Sequence, residues 1–196
     1  MAIRIIAGVA RGRLLEVPRR MTLRPASSRL KVALFSHLAE RIPEAKVLDL
    51  FAGTGAYGIE ALSRGAREAT FVDTQPEAVR CIQRNLQSLG FAAQARVVRA
   101  SAQIFLQKDG NRYDLIFAGP PYQKKHLRVD EIPLLSAVAQ RLSPQGLFIW
   151  EFCRWNEVVL PSLWQISWEK AFGETRVWVL RLTGAPEKRL SEPPGT

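Results

Sequence analysis

The stretch that most constrains this chain runs from Lys46 to Asp73. A short apolar run, Val47, Leu48, Leu50 and Phe51, reads as a strand buried within a parallel sheet. It leads into Gly53-Thr54-Gly55-Ala56-Tyr57-Gly58, a G-x-G-x-x-G turn. Helical spacing follows through Ile59, Ala61 and Leu62, with Gly65 where a left-handed residue closes a helix. A second strand, Ala69-Thr70-Phe71-Val72, ends on Asp73. Strand, glycine turn, helix, strand and acid, in that order, make a nucleotide-binding βαβ unit. The glycines let backbone approach a ligand where a Cβ would collide. An acid at the tip of the second strand can accept hydrogen bonds from both ribose hydroxyls.

Taken alone, such a turn is also compatible with a tight strand–helix connection that binds nothing. The acid, 20 residues after Gly53, lies near the spacing of about 20 that dinucleotide sites have. Asp49, four residues before the first glycine, is unusual for a dinucleotide fingerprint, where that strand position is apolar. An acid there suits a cationic or amine-bearing ligand, such as the amino acid end of S-adenosylmethionine.

A chain of 196 residues is compatible with one α/β domain plus an appendage. It has no apolar run of membrane-spanning length, and Arg4 interrupts the first apolar stretch, so no signal peptide is expected. Cys81, Cys153, His37 and His126 stand far apart, which supports neither a disulfide framework nor a metal site. The expectation is a cytoplasmic protein, monomeric, with no metal and no membrane contact. The net charge of +10 and a pI near 10.3 point to a polyanion partner, most simply nucleic acid.

The charge is concentrated. Residues 1–31 hold Arg4, Arg11, Arg13, Arg19, Arg20, Arg24, Arg29 and Lys31 against one acid, Glu16. Interleaved Ile3, Ile5, Ile6, Leu14, Leu15 and Val17 suggest two short strands around Gly8-Val9-Ala10-Arg11-Gly12, and a hairpin with an arginine-rich turn tracks phosphates well. The alternative is a basic face that only keeps the chain soluble. After Pro25, Ser27 or Ser28 can cap a helix to about Arg41, with Leu30, Leu34, Leu38 and Ile42 on one face. Beyond Asp73, Pro76 suits a first helical turn, and Val79, Ile82, Leu86 and Leu89 make its stripe before Gly90. Arg96-Val97-Val98 is a third strand, backed by a short helix with Ala102, Phe105 and Leu106. A fourth strand spans Tyr113–Ala118. Then come a helix from about Glu131 to Leu142, a fifth strand over Gly146–Glu151, and a hairpin of Trp164–Phe172 with Thr175–Leu182 turning at Gly173. The tail from Gly184 has the composition of a disordered segment.

The second chemical motif is Gly119-Pro120-Pro121-Tyr122, at the end of the fourth strand. Its prolines fix the backbone and remove two donors, which leaves carbonyls to accept. Tyr122 offers a flat face on which a flipped base can stack. The basic loop of Lys124, Lys125, His126 and Arg128 follows. A stiff loop with a core tyrosine is the plainer reading.

These residues carry a resemblance. The chain resembles the bacterial small-subunit (16S) ribosomal RNA guanine-N(2)-methyltransferases of the RsmD family, within the class I S-adenosylmethionine-dependent enzymes. Four blocks match in order: Arg4-Ile5-Ile6-Ala7-Gly8 with Ala10-Arg11-Gly12-Arg13; Leu23-Arg24-Pro25 with Arg29 and Ala33-Leu34-Phe35; Val47 through Gly55; and Pro120-Pro121-Tyr122. The resemblance implies an α/β, Rossmann-like class I methyltransferase fold, a seven-stranded mostly parallel sheet with its last strand antiparallel. It implies S-adenosyl-L-methionine as cofactor, held by Asp49, Phe51, Gly53, Gly55 and Asp73 with Ser101 and Arg24. Catalysis would fall to Gly119, Pro120, Pro121 and Tyr122, and RNA contacts to Arg11, Arg13, Arg19, Arg20, Lys124 and Lys125. Residues 1–26 would be an RNA-binding extension, 27–183 the methyltransferase domain and 184–196 a tail. The partner would be ribosomal RNA or an assembled small subunit. The chain departs from the family pattern where Gly119 stands in place of an acid or amide, Ala100-Ser101 in place of Gly-Asp, and Ser28 and Val32 in place of carboxylates. A catalytically weakened RNA binder, or an enzyme acting on another nucleic acid amine, is the alternative these departures leave. A dinucleotide oxidoreductase is a third, and it lacks an acid–base pair beyond the fourth strand.

Overall fold

The structure, a computed structural model, describes residues 3–18, 28–120 and 133–185. Arg19, Arg20, Arg24, Pro121, Tyr122, Lys124, Lys125, His126, Glu131 and most of the tail, all singled out above, lie outside these residues. Ile3–Arg4 (β1) and Leu14–Leu15 (β2) pair antiparallel, as expected of the basic hairpin. The next helix, α1, spans Ser28–His37. It ends before Arg41, and a single 3-10 turn over Ala39–Arg41 takes its place. After His37 the hydrogen bonding tightens to the 3-10 pattern, with Arg41 N donating to Leu38 O at 2.8 Å, while Ile42 still keeps helical dihedrals (φ −87°, ψ −44°). The buried face persists nonetheless, since Leu30, Leu34, Leu38 and Ile42 are all inaccessible.

Strands and helices then alternate: β3 (Lys46–Leu50), α2 (Ala56–Ser63), β4 (Glu68–Asp73), α3 (Pro76–Leu89), β5 (Ala95–Arg99), α4 (Ala102–Lys108), β6 (Tyr113–Ala118), α5 (Pro133–Arg141) and β7 (Leu142–Cys153). The hairpin β8 (Trp164–Phe172) and β9 (Thr175–Leu182) closes the fold, with Gly173 at φ 57° in its turn. The seven-stranded sheet has the order β5-β4-β3-β6-β7-β9-β8. From β5 to β7 all neighbours are parallel, and β9 runs antiparallel to both β7 and β8. The seven-stranded sheet with an antiparallel last strand is therefore present. β7 begins at Leu142, earlier than Gly146, because Leu142 already pairs with Tyr113 across a register shift.

Two apolar layers cover the sheet. Leu34 and Phe35 of α1, Ile59 and Leu62 of α2, and Ile82 and Leu86 of α3 pack on one face, joined by Ile5 and Leu15 of the N-terminal hairpin. Phe105 and Leu106 of α4 and Leu135 and Val138 of α5 pack on the other. Strands buried on both faces explain the continuous apolar runs of β3, β4 and β6. In α3, Pro76 opens the helix and left-handed Gly90 closes it, but the buried stripe is Ala78, Cys81, Ile82, Asn85 and Leu86. Val79 and Leu89 are only half-buried. The helix is rolled because Cys81 and Asn85 bond to Glu16 in the N-terminal segment, which covers them. His37 stacks on Trp168 of β8, with centroids 5.1 Å apart.

Candidate active site

β3 lies between β4 and β6, so successive connections leave it in opposite directions and open a crevice at the strands' carboxyl ends, where such sheets bind ligands. The glycine turn stands there. Phe51 leaves β3 with φ 57°, a left-handed conformation that costs an aromatic residue about 1–3 kcal/mol. Ala52 N donates to Val72 O at 3.1 Å and Gly55 N to Ala52 O at 2.7 Å, which close the turn. Gly53 and Gly55 have φ of 58° and 77°, as free approach of backbone requires. Gly58 serves another purpose: a Cβ on it would lie 2.3 Å from Cε1 of Phe71, so its bareness lets α2 press against β4.

The two acids sit differently. Asp73 is 9% exposed. Its Oδ2 accepts from Gly53 N at 2.9 Å and its Oδ1 from Gln75 N at 2.8 Å. Each carboxylate oxygen keeps a second lone pair, so a ribose diol at the tip of β4 can still be accommodated. Asp49 is 2% exposed and its Oδ2 accepts from Gly58 N at 2.9 Å, beneath the turn. Burial pushes its carboxyl up to about 8, and the nearby Asp73 charge adds to the push against the Gly58 bond. Behind the turn, Asn85 of α3 donates to Thr54 O at 3.2 Å and to Glu16 O at 3.2 Å, while its Oδ1 accepts from Glu16 N. Ser101 follows β5 and caps α4, its Oγ accepting from Ile104 N at 3.2 Å.

Gly119 and Pro120 follow directly on β6 and are half-buried. Next to them, at the carboxyl end of β7, stands Glu151. Tyr57, on the first turn of α2, donates to Glu151 Oε2 at 2.6 Å, and its ring stacks on Phe117 with centroids 5.3 Å apart. A shallow depression lined by Arg41, Glu44, Asp114 and Gln145 lies at the amino edge, away from the glycine turn.

The basic N-terminal segment is docked on α2 and α3. Glu60, fully buried, accepts from Ile6 N at 2.9 Å and Ala7 N at 3.1 Å, and pairs with Lys31 at 3.0 Å and Arg64 at 2.8 Å. Burial works against its charge, but Lys31, the Ile6 amide and Arg64 outweigh this and hold the carboxyl below its ordinary range. Lys31 is thus part of an internal ion pair and leaves the basic surface to which its sequence position assigned it. Burial pushes the Lys31 ammonium down, against the pull of Glu60. Ser63 adds bonds to Ala7, Val9 and Ala10. Arg11 and Arg13 are exposed, and Arg13 donates to Ser88 O at 3.1 Å. Sequence reasoning missed Tyr57, Glu60, Asn85 and Glu151. The available signal was a charge inside an apolar run, as in Ile59-Glu60-Ala61-Leu62. Among the described residues no group of three or more His, Cys, Asp or Glu is placed to hold a metal ion. Nor is any helix among them long and apolar enough to cross a membrane.

This strand order, with a glycine turn after the central strand and an acid after its neighbour, defines a class I methyltransferase fold. Comparison with known proteins narrows the class. The family described as conserved hypothetical protein 95 matches residues 3–181. The Escherichia coli K12 protein named Ribosomal RNA small subunit methyltransferase D is 36% identical over 88% of this chain and 86% of its own length. The Haemophilus influenzae protein of the same name is 35% identical over 87% and 89%. The solved structure of Escherichia coli yhhF superposes with a TM-score of 0.79 at 34% identity, covering 93% of this chain and 98% of that one. The chain belongs to this family, the RsmD family of methyltransferases.

Proposed function

We propose that this chain is an S-adenosylmethionine-dependent RNA methyltransferase acting on the exocyclic amine of a guanine in small-subunit (16S) ribosomal RNA, in the cytoplasm and as a monomer. The observation that carries the reading is the convergence at one sheet edge of the glycine turn, Asp73 and the Gly119-Pro120 strand end, in a chain 36% identical to Ribosomal RNA small subunit methyltransferase D. Positive φ at Gly53 and Gly55, and the remaining acceptor capacity of Asp73, fit the nucleoside. When bound, S-adenosylmethionine supplies an electrophilic methyl group on a sulfonium sulfur. The chain's part is positioning. The turn from Phe51 to Gly55 faces the ligand, Asp73 accepts from the ribose, Asp49 braces the turn from beneath through Gly58 N, and Ser101 and Arg24 complete the contacts. The Gly119 and Pro120 carbonyls orient the target amine, Pro121 stiffens the corner and Tyr122 stacks on the flipped base. Arg11, Arg13, Arg19 and Arg20, with Lys124 and Lys125, contact phosphates, which makes residues 1–26 an RNA-binding extension of a 27–183 catalytic domain.

One observation favours a second reading, an RNA binder without activity: Gly119 has no side-chain acceptor, and Ser101 Oγ is already engaged as a cap. Two measurements decide. Labelled methyl groups should pass from S-adenosylmethionine to small-subunit rRNA, naked or assembled, and a guanine modified in normal cells should be unmodified in cells lacking this protein. Absence of both leaves the binder.

A further inference from the structure

An amine that is to attack a methyl group must have its hydrogens held by acceptors, so that its lone pair points along the line of attack. Gly119 offers only its carbonyl. The parallel pairing of β6 with β7 sets Ala118 opposite Trp150, which brings Glu151 alongside Gly119. A Cβ placed on Gly119 would lie 3.8 Å from Glu151 Cβ and 3.9 Å from its Oε2, and its nearest neighbours outside its own stretch of chain are all Glu151 atoms. An aspartate at 119 and the glutamate at 151 would therefore present their carboxylates to the same small volume. Glu151 is held there: Tyr57 donates to it at 2.6 Å, the short contact of a charge-assisted bond. The Tyr57 ring is in turn fixed against Phe117 and Phe35. The other acids of the crevice are placed differently, Asp49 at Gly58 N under the turn and Asp73 at Gly53 and Gln75 at the tip of β4.

Resting on the methyltransferase reading above, we propose that Glu151 is a catalytic residue, the carboxylate acceptor for the target amine, supplied from β7 across the bare Cα of Gly119. The amine nitrogen forms the new N–C bond as the C–S bond breaks, and that electron pair leaves with sulfur. The proton shed by the alkylated nitrogen passes to the Glu151 carboxylate and on to solvent. Tyr57 is its positioning residue.

The test is a cycle of Glu151→Ala, Gly119→Asp and the double variant in the full chain. It uses methyl transfer to rRNA, Kd for S-adenosylhomocysteine, and RNA affinity of the S-adenosylhomocysteine complex. Glu151→Ala should lower kcat by ~10²–10³-fold, as loss of one positioned polar partner does, and weaken RNA binding while S-adenosylhomocysteine affinity holds. Gly119→Asp should rescue kcat and RNA affinity in the Glu151→Ala background. It should gain nothing in the parent, where two carboxylates would crowd one volume. A merely structural glutamate gives no such reversal. Should Glu151→Ala fail to fold, Glu151→Met keeps the side chain's length without its acceptors and takes its place in the cycle. A parent that methylates while both Glu151 variants keep its kcat, or a double variant no better than the single one, overturns this role alone. A parent that transfers no methyl group overturns the enzymatic reading and this role together, because Glu151 then fails to serve the reaction.

Discussion

The two acids of the crevice make separable predictions. Asp73 holds Gly53 and Gln75 amides, so removing it takes away both a ribose acceptor and a brace of the turn. Asp73→Ala should weaken S-adenosylhomocysteine binding by about 1.5–3 kcal/mol, the range for hydrogen bonds to a charged group. Calorimetry with an unchanged Kd would displace it from the site. Asp49 is read through pH. Burial lifts its carboxyl to about 8 in the folded chain, against an ordinary value of 3.8. Between those values the folded state keeps a proton that the unfolded chain has lost, so stability is greatest at the acid end and declines as pH rises toward 8. Asp49→Asn retains an oxygen for Gly58 N and cannot ionise. Its Tm should fall less than the parent's between pH 5 and pH 8 in scanning calorimetry, and parallel curves would mean that Asp49 is ionised in the fold.

At the scale of elements, the hairpin β1–β2 depends on its seat on α2. A Cβ on Gly8 would lie 1.7 Å from Ser63 O, and Gly8 has φ 85°. Gly8→Ala should therefore cost about 3 kcal/mol through strain and overpacking. Glu60→Ala leaves Lys31 buried without its partner, and breaking such a pair costs about 3–5 kcal/mol. Denaturant titrations of the two variants check both figures. These contacts also show where reading from sequence stops. Glycine turn, proline starts and apolar periods are local signals, and they located β3, β4, β5, β6 and the β8–β9 hairpin closely. Glu60, Asn85 and Glu151 are defined by partners 54, 69 and 94 residues away, and no local pattern carries such pairing. The block Ile5-Ile6-Ala7-Gly8, legible as a resemblance, acquires a physical meaning only once Glu60 and Ser63 are seen to receive it.

For the whole molecule, net charge is the relevant quantity. A chain of +10 should bind RNA with steep salt dependence. Replacing Arg11, Arg13, Arg19 and Arg20 by glutamine should reduce the logarithmic salt slope by about 0.7 for each single-strand phosphate that is no longer neutralised. S-adenosylhomocysteine binding should be retained, and an unaltered slope would reduce the cluster to a solvated face.

The docking of the N-terminal segment also has a consequence in time. Residues 3–18 rest on α2 and on Asn85 and Ser88 of α3, all made much later in the chain. At about 5–20 residues per second, roughly 4–14 s of translation separate the end of the segment from the end of α3. During that interval Ile5 and Leu15 have no surface to cover them. Stalled nascent chains should be open to proteolysis near Arg11 until residue 89 has cleared the ribosome, and resistant afterwards.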